Sequence, residues 1–259
     1  MTQGLALVTG AGRGIGRAIA LRLAGEKTPV VLVARSNEEI TELRNEIVSQ
    51  GGAAYATPCD VSDSGEVEAL KEDILSDLGP LTILVNNAGV APSSTFDKIT
   101  DETWRDTFAV NVDGAFYMTR AFLPAMLNGE GKSHVLSIAS TAALEGFRYT
   151  AAYTASKHAL LGLMRALDAE YREKGIIFST LCPGFTRTQI LQEAIQATMA
   201  RGKVREKAEA MYTMMNREGR IIEPEEIAET VWNLVRSEAT PSGGVYNADG
   251  TRYENLTKR

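Results

Sequence analysis

A single doubly wound α/β domain on a parallel sheet is the architecture predicted by this sequence of 259 residues. Three observations carry that reading. Seven short β-branched runs alternate with longer helical patterns from end to end. Runs such as Val30-Val31-Leu32-Val33 are apolar without interruption, as in strands covered on both faces. A cluster of four glycines, T-G-A-G-R-G-I-G at 9–16, lies between the first run and the first helical pattern.

Taken in order, the strands are expected at 5–10, 29–34, 53–58, 81–86, 134–139, 176–181 and 244–248, joined by right-handed crossovers with helices on both faces of the sheet. Between them lie amphipathic segments. At 38–50, Ile40, Leu43 and Ile47 recur at helical spacing, and Gly51-Gly52 ends that helix. One segment breaks the rhythm: 186–222 has no strand and reads as one or two helices of its own. No internal repeat or low-complexity linker divides the chain, so 1–259 is expected to be one domain.

The composition is that of an ordinary globular protein, 44% hydrophobic and 23% charged. A net charge of −6 and a pI near 5.2 argue against nucleic acid or an anionic membrane as the main partner. No apolar run approaches the ~20 residues of a membrane helix. The first strand begins so early that a signal peptide has no room, which gives a cytoplasmic expectation. Cys59 and Cys182 lie far apart and read as reduced, buried thiols. His134 and His158 have no ligand-spaced partners, so no metal site is expected.

The glycine loop follows a strand and opens a helix, where free backbone amides attract phosphate. It does not match the G-x-G-x-x-G fingerprint in any register. In a dinucleotide-binding fold the end of the second strand meets the adenosine ribose; an acid there selects NAD, and an arginine accommodates the 2′-phosphate of NADP. Here the strand ends Ala34-Arg35, with no carboxylate before Glu38. Arg13 and Arg35 are therefore expected to flank one phosphate, in a site with no nearby acid.

Tyr153 and Lys157 stand four apart on one helix face. A nearby ammonium favours phenolate, so such a tyrosine is suited to moving a proton to or from a carbonyl or alcohol oxygen. Ser140, at the end of the fifth strand, can hold the substrate oxygen beside it. Asn86-Asn87-Ala88-Gly89 closes the fourth strand with residues small enough for close backbone approach. Asn111 follows in a helix, where its amide can fix a water or a backbone carbonyl.

Together these residues identify a resemblance to the short-chain dehydrogenase/reductase family, in its branch of about this chain length. The matching motifs are T-G-x-x-x-G-x-G at 9–16, Asp60-Val61, Asn86 to Gly89, Asn111, Ser140, Y-x-x-x-K at 153–157, and Pro183-Gly184 with Thr188. They run from residue 5 to about 250. The resemblance implies a Rossmann-type domain with a seven-stranded parallel sheet and a small helical substrate lid at about 186–222. It implies that NADP(H) meets Gly10, Arg13, Gly14, Ile15, Gly16, Arg35, Asp60, Val61, Asn87, Ala88, Gly89, Tyr153, Lys157, Pro183, Gly184, Thr186 and Thr188. Within that set, Asp60 would meet the adenine amine, Asn87 the adenosine side, and Thr188 with the backbone near Thr186 the carboxamide. Tyr153 would be the general acid/base, its pKa depressed by Lys157, which binds the nicotinamide ribose. Ser140 would orient the substrate, and Asn111 would hold a water that relays protons through Lys157.

The implied reaction is NADPH-dependent reduction of a ketone, a 3-oxoacyl thioester or similar apolar compound. The alternatives are a secondary-alcohol or 3-hydroxyacyl dehydrogenase run in reverse and, more remotely, a non-catalytic cofactor sensor. The lid carries Met199, Met211, Tyr212, Met214 and Met215, which suit either an apolar substrate or packing of the lid on the domain. It also carries Arg201, Lys203, Arg205 and Lys207, which suit either a phosphopantetheine phosphate or a solvated helix face. A homotetramer is expected, pairing helices at about 101–128 and 153–174 through apolar surface that includes Phe116, Phe122, Leu160, Leu163 and Leu167.

Overall fold

All seven expected strands form, and the computed structural model describes residues 4–129, 131–200 and 202–253. The elements in order are β1 (Leu5–Thr9), α1 (Gly14–Gly25), β2 (Val30–Ala34), α2 (Asn37–Ser49), β3 (Ala54–Pro58), α3 (Ser64–Asp77), β4 (Leu81–Asn86), α4 (Asp101–Phe108), α5 (Gly114–Leu127), β5 (Ser133–Ile138), α6 (Ala151–Tyr171), β6 (Ile176–Leu181), α7 (Gln189–Ala200), α8 (Arg205–Met215), α9 (Pro224–Arg236) and β7 (Gly244–Tyr246). Every strand pair is parallel, in the order β3-β2-β1-β4-β5-β6-β7.

Alternate residues of each strand face opposite cores. Ala6 and Val8 of β1 and Val30 and Leu32 of β2 pack with Ile19 and Leu23 of α1, Ile40 and Leu43 of α2, and Ile227 and Val231 of α9. Leu5, Leu7, Val31 and Val33 pack on the other side with Val67 and Leu70 of α3 and Met118 and Phe122 of α5. The order reverses between β1 and β4, and a crevice opens beyond the carboxyl ends of those strands.

β7 is shorter than the predicted 244–248. Past Tyr246 the chain turns, the Asn247 amide bonding Thr251 O at 2.8 Å, and Arg252 forms an antiparallel bridge back to Tyr246. The apolar surface expected for subunit pairing is also partly internal. Phe122 is fully buried between α5 and the sheet, and Leu160 packs on Ala139, Ala143 and Val245; neither is surface. Leu163 and Leu167 are half-buried, whereas Phe116 and Trp104 are 39% and 40% exposed.

His134, on β5, is buried, and its Nδ1 has no partner among the described residues. Burial, helped by the Lys132 charge, lowers its pKa from 6.5 to about 4. As pH falls the unfolded chain takes up this proton first. The contribution to stability is thus intact above 6.5 and lost between 6.5 and 4, on the order of 3 kcal/mol. Urea unfolding at pH 7 and pH 4.5 should show His134→Leu losing markedly less stability over that interval than wild type; equal losses would contradict this assignment.

Candidate active site

The crevice begins with the glycine loop. Gly10 and Gly14 have φ of +62° and +54°, a region L side chains rarely adopt, and a Cβ on Gly16 would lie 2.2 Å from Gly10 O. Arg13 is the N-cap residue of α1 and supplies no side-chain cap, which leaves the first-turn amides available to an anion. Thr9 and Asn87 tie the loop to the end of β4. Thr9 Oγ1 accepts from the amides of Asn87 and Ala88 at 2.9 and 3.0 Å, and Asn87 Nδ2 donates to Thr9 O at 2.9 Å and Gly10 O at 3.2 Å. Asn87 thus fixes the shape of the loop. The cleft beside this loop has a volume of about 630 Å³.

The rim is cationic but not free of acid, which corrects the sequence expectation. Arg13 lies 3.9 Å from Glu39 and Arg35 lies 3.9 Å from Asp60. The carboxylates approach because α2 starts directly after β2 and the β3–α3 turn lies alongside. Asp60 also accepts from the amide and hydroxyl of Ser62 at 2.9 and 2.7 Å, and these bonds, with Arg35, hold its carboxyl below the usual range despite partial burial. Val61 is buried against Gly114.

On the other side of the cleft, the first two turns of α6 carry Tyr153 and Lys157 into its wall. Lys157 Nζ donates to Ile138 O at 2.9 Å and lies 5.7 Å from the centroid of the Tyr153 ring. Burial lowers the Lys157 ammonium to about 8, opposed by the Cys182 sulfur. The Tyr153 side chain is half-buried, and loss of hydration raises its pKa, against a hydrogen bond from Ser140 that lowers it. The depression expected from Lys157 is therefore not found in the protein alone, and the phenol stays protonated at neutral pH. Ser140 Oγ also accepts from the Ala142 amide at 3.1 Å. Cys182 lies buried nearby, its thiol pushed up to about 12 by burial. Cys59 is buried as well, and both cysteines are free thiols.

Asn111 sits in a widened helical turn, Ala109–Asp113, between α4 and α5. It accepts from the Val90 amide at 2.8 Å and donates to Val90 O at 2.9 Å and Ser156 Oγ at 2.9 Å. The backbone carbonyl that its amide was expected to fix is that of Val90. Asn111 holds the segment after Gly89 against α6.

Ile15, Ala88, Gly89 and Thr188 line the cleft, Ser140 meets the Tyr153 hydroxyl at its edge, and Asn111, Gly16, Pro183, Gly184 and Thr186 stand back from it. Thr186 is buried and bridges to Ile222, closing the base of the lid. Asn216, which sequence reasoning missed, secures the same base: it accepts from the Phe185 amide at 2.6 Å and donates to Phe185 O and Arg220 O at 2.8 and 2.6 Å. The two lid helices α7 and α8 share a small core of Leu191, Ile195, Ala208 and Tyr212. The Tyr212 hydroxyl bonds Thr198 and Ala194 O, and Met214 points into solvent, 83% exposed. Of the lid, Thr188, Gln189, Ile190 and Glu193 reach the cleft, and the methionines do not. Arg205 pairs with Glu209 at 3.0 Å and Lys203 contacts Met211 Sδ, as on a solvated helix face; Arg201 lies outside the described residues. Among the described residues no cluster of metal-ligating side chains occurs, and no helix is long and apolar enough to cross a membrane.

A parallel sheet with its crevice at the β1/β4 reversal, a glycine-lined anion cradle and a tyrosine–lysine pair on the opposite wall define a nucleotide-dependent oxidoreductase class. Residues 4–199 match the short chain dehydrogenase family, and the chain belongs to that family as one of its oxidoreductases. It is 35% identical over 239 residues to a Streptomyces violaceoruber protein described as ketoacyl reductase 1 of the granaticin polyketide synthase, covering 91% of this chain and 87% of the relative. It is 32% identical over 248 residues to the cyclohexanol dehydrogenase of an Acinetobacter species, covering 95% and 93%. Among solved structures, a variant of the actinorhodin polyketide ketoreductase with NADPH superimposes with a TM-score of 0.88, at 32% identity and 95% coverage of each chain.

Proposed function

We propose that the protein is an NADPH-dependent carbonyl reductase acting on a 3-oxoacyl thioester or similar apolar ketone. The observation that carries the reading is the Tyr153 phenol in the cleft wall, beside Ser140 and one helical turn from the Lys157 ammonium, across from the arginine-bearing glycine loop. The similarity to a ketoacyl reductase and to a ketoreductase solved with NADPH supports the substrate and cofactor classes.

The site's residues fit the cofactor. The uncapped start of α1 with Gly10, Gly12 and Gly14 would take its diphosphate, Arg13 and Arg35 its 2′-phosphate, and Lys157 its nicotinamide ribose. When bound, NADPH supplies the hydride. Tyr153 Oη gives its proton to the carbonyl oxygen as negative charge develops there, and Ser140 Oγ orients that oxygen. The Lys157 ammonium, charged below about pH 8, stabilises the phenolate left behind. Asn111 keeps the wall between Val90 and α6 fixed while this happens.

The relative named as a cyclohexanol dehydrogenase favours a second reading, oxidation of a secondary alcohol by the same groups in reverse. A panel of 3-oxoacyl thioesters, cyclic ketones and secondary alcohols, run with all four nicotinamide cofactors, separates the two. Ketone reduction with NADPH as the most efficient pairing supports the proposal. Alcohol oxidation outrunning it at pH 7 supports the second reading.

We place the protein in the cytoplasm as a homotetramer. Exposed Phe116, which packs against Arg120, and exposed Trp104, stacked on Phe108, leave apolar surface on α4 and α5 that twofold pairing would cover. Light scattering at micromolar concentration should give four times the chain mass; a monomer would remove this part of the proposal.

A further inference from the structure

Arg13, the cation of the glycine loop, is held from two sides. Its Nη1 donates to Gln189 Oε1 on the lid at 2.6 Å, and lies 3.9 Å from Glu39 Oε1. Glu39 belongs to the first turn of α2, which Ser36 caps by accepting from the Glu39 amide at 3.3 Å. A serine followed three residues later by glutamate is the spacing at which the carboxylate returns a bond to the serine amide. In α9 the equivalent exchange is made, between Glu223 and Glu226. In α2 it is not. The Glu39 carboxylate turns away from its own helix and lies over the glycine loop, where a Cβ on Gly12 would come within 2.5 Å of Oε2. A carboxylate that forgoes a local cap to stand in the cleft wall beside the phosphate-seeking cation has a consequence for binding.

We propose that Glu39 is a specificity-determining residue that moderates the preference for NADP(H): it competes with the 2′-phosphate for Arg13 and repels that phosphate directly. The proposal rests on the NADP(H) reading given above. The phosphate brings close to two negative charges to a rim where each arginine already has an acidic neighbour. Asp60 differs from Glu39 in that two hydrogen bonds from Ser62 already engage it, so its charge is partly spent. Among the described residues the half-buried Glu39 has Arg13 as its one ion-pair partner, so its removal leaves the Arg13 guanidinium held by the neutral Gln189 alone. An exposed ion pair of this kind corresponds to roughly a three- to tenfold effect, because water screens it.

The test is calorimetric binding of 2′,5′-ADP and 5′-AMP, two probes that differ only in the 2′-phosphate, to wild type, Glu39→Gln and Glu39→Asp. Glu39→Gln should tighten 2′,5′-ADP roughly three- to tenfold and leave 5′-AMP within about twofold. Glu39→Asp keeps the charge favoured at the helix start but draws it back from Arg13, and should give a smaller change in the same direction. In an Arg13→Gln background the effect of Glu39→Gln on 2′,5′-ADP should shrink, since the competition no longer exists. Equal changes for both probes, or none, would overturn the role of Glu39 while leaving the cofactor assignment intact. If wild type binds 2′,5′-ADP no more tightly than 5′-AMP, the NADP(H) reading itself fails and the proposal with it.

Discussion

Replacing Tyr153 by phenylalanine should lower turnover by roughly 10²–10⁴-fold, the usual contribution of a positioned acid, and leave cofactor affinity nearly unchanged. The ring remains and only Oη is lost, so the packing around Lys157 is preserved. Beside it on the α6 wall stands the Lys157 ammonium, which donates to Ile138 O and lies 5.7 Å from the ring centroid rather than at the position of the lost oxygen. The fall should appear in kcat and in kcat/KM together, as for an interaction made in the transition state. A variant retaining more than about a tenth of wild-type turnover would show that Tyr153 is not the proton donor.

The second large effect is on cofactor choice. Ala34→Asp combined with Arg35→Ile should reverse the preference from NADPH to NADH. Ala34 ends β2 and lines the cleft, so a carboxylate there can accept from ribose hydroxyls and repel a 2′-phosphate. Two bare guanidinium groups would give about a hundredfold preference or more, at ~1.5–3 kcal/mol for each charge-assisted bond. With Glu39 and Asp60 beside them, a wild-type preference nearer tenfold is expected, and the reversal should be of similar size in the other direction. The ratio of kcat/KM for the two cofactors, in wild type, both single variants and the double variant, reads this directly. No change of ratio in the double variant would remove Arg35 from phosphate recognition.

The strands were legible because a parallel sheet buries both faces, so Val30 to Val33 need no polar alternation and stand out as a continuous run. The pairing of Tyr153 with Lys157 was legible for a similar reason: one helical turn brings them to the same wall whatever the surroundings. Side-chain direction was not. Glu39 lies where an acid would normally cap its own helix, and only the glycine at 12 leaves room for it to lie across the loop instead. Phe122 and Leu160 looked like surplus apolar surface because α5 and α6 are apolar over more than one face. In the structure those faces meet internal neighbours: α6 presents Met164 to the sheet and Leu160 to the segment after Ser140. Tyr212 turns into the core between α7 and α8, a contact set by the crossing of two helices that no spacing along one of them reveals. Asn111 and Asn216 were equally hard to read for role, since each satisfies main-chain groups of a loop distant in sequence.

The central claim is that NADPH delivers hydride to a ketone while Tyr153 protonates the oxygen. It is tested most directly by following reduction with NADPH deuterated at its transferable position, across a panel of 3-oxoacyl thioesters and cyclic ketones. The account predicts an alcohol that carries the deuterium on its carbinol carbon, one NADPH consumed for each alcohol formed, and almost no product from the Tyr153→Phe variant. NADPH bound but not consumed on every ketone, or labelled alcohol formed equally well without the Tyr153 hydroxyl, would contradict it.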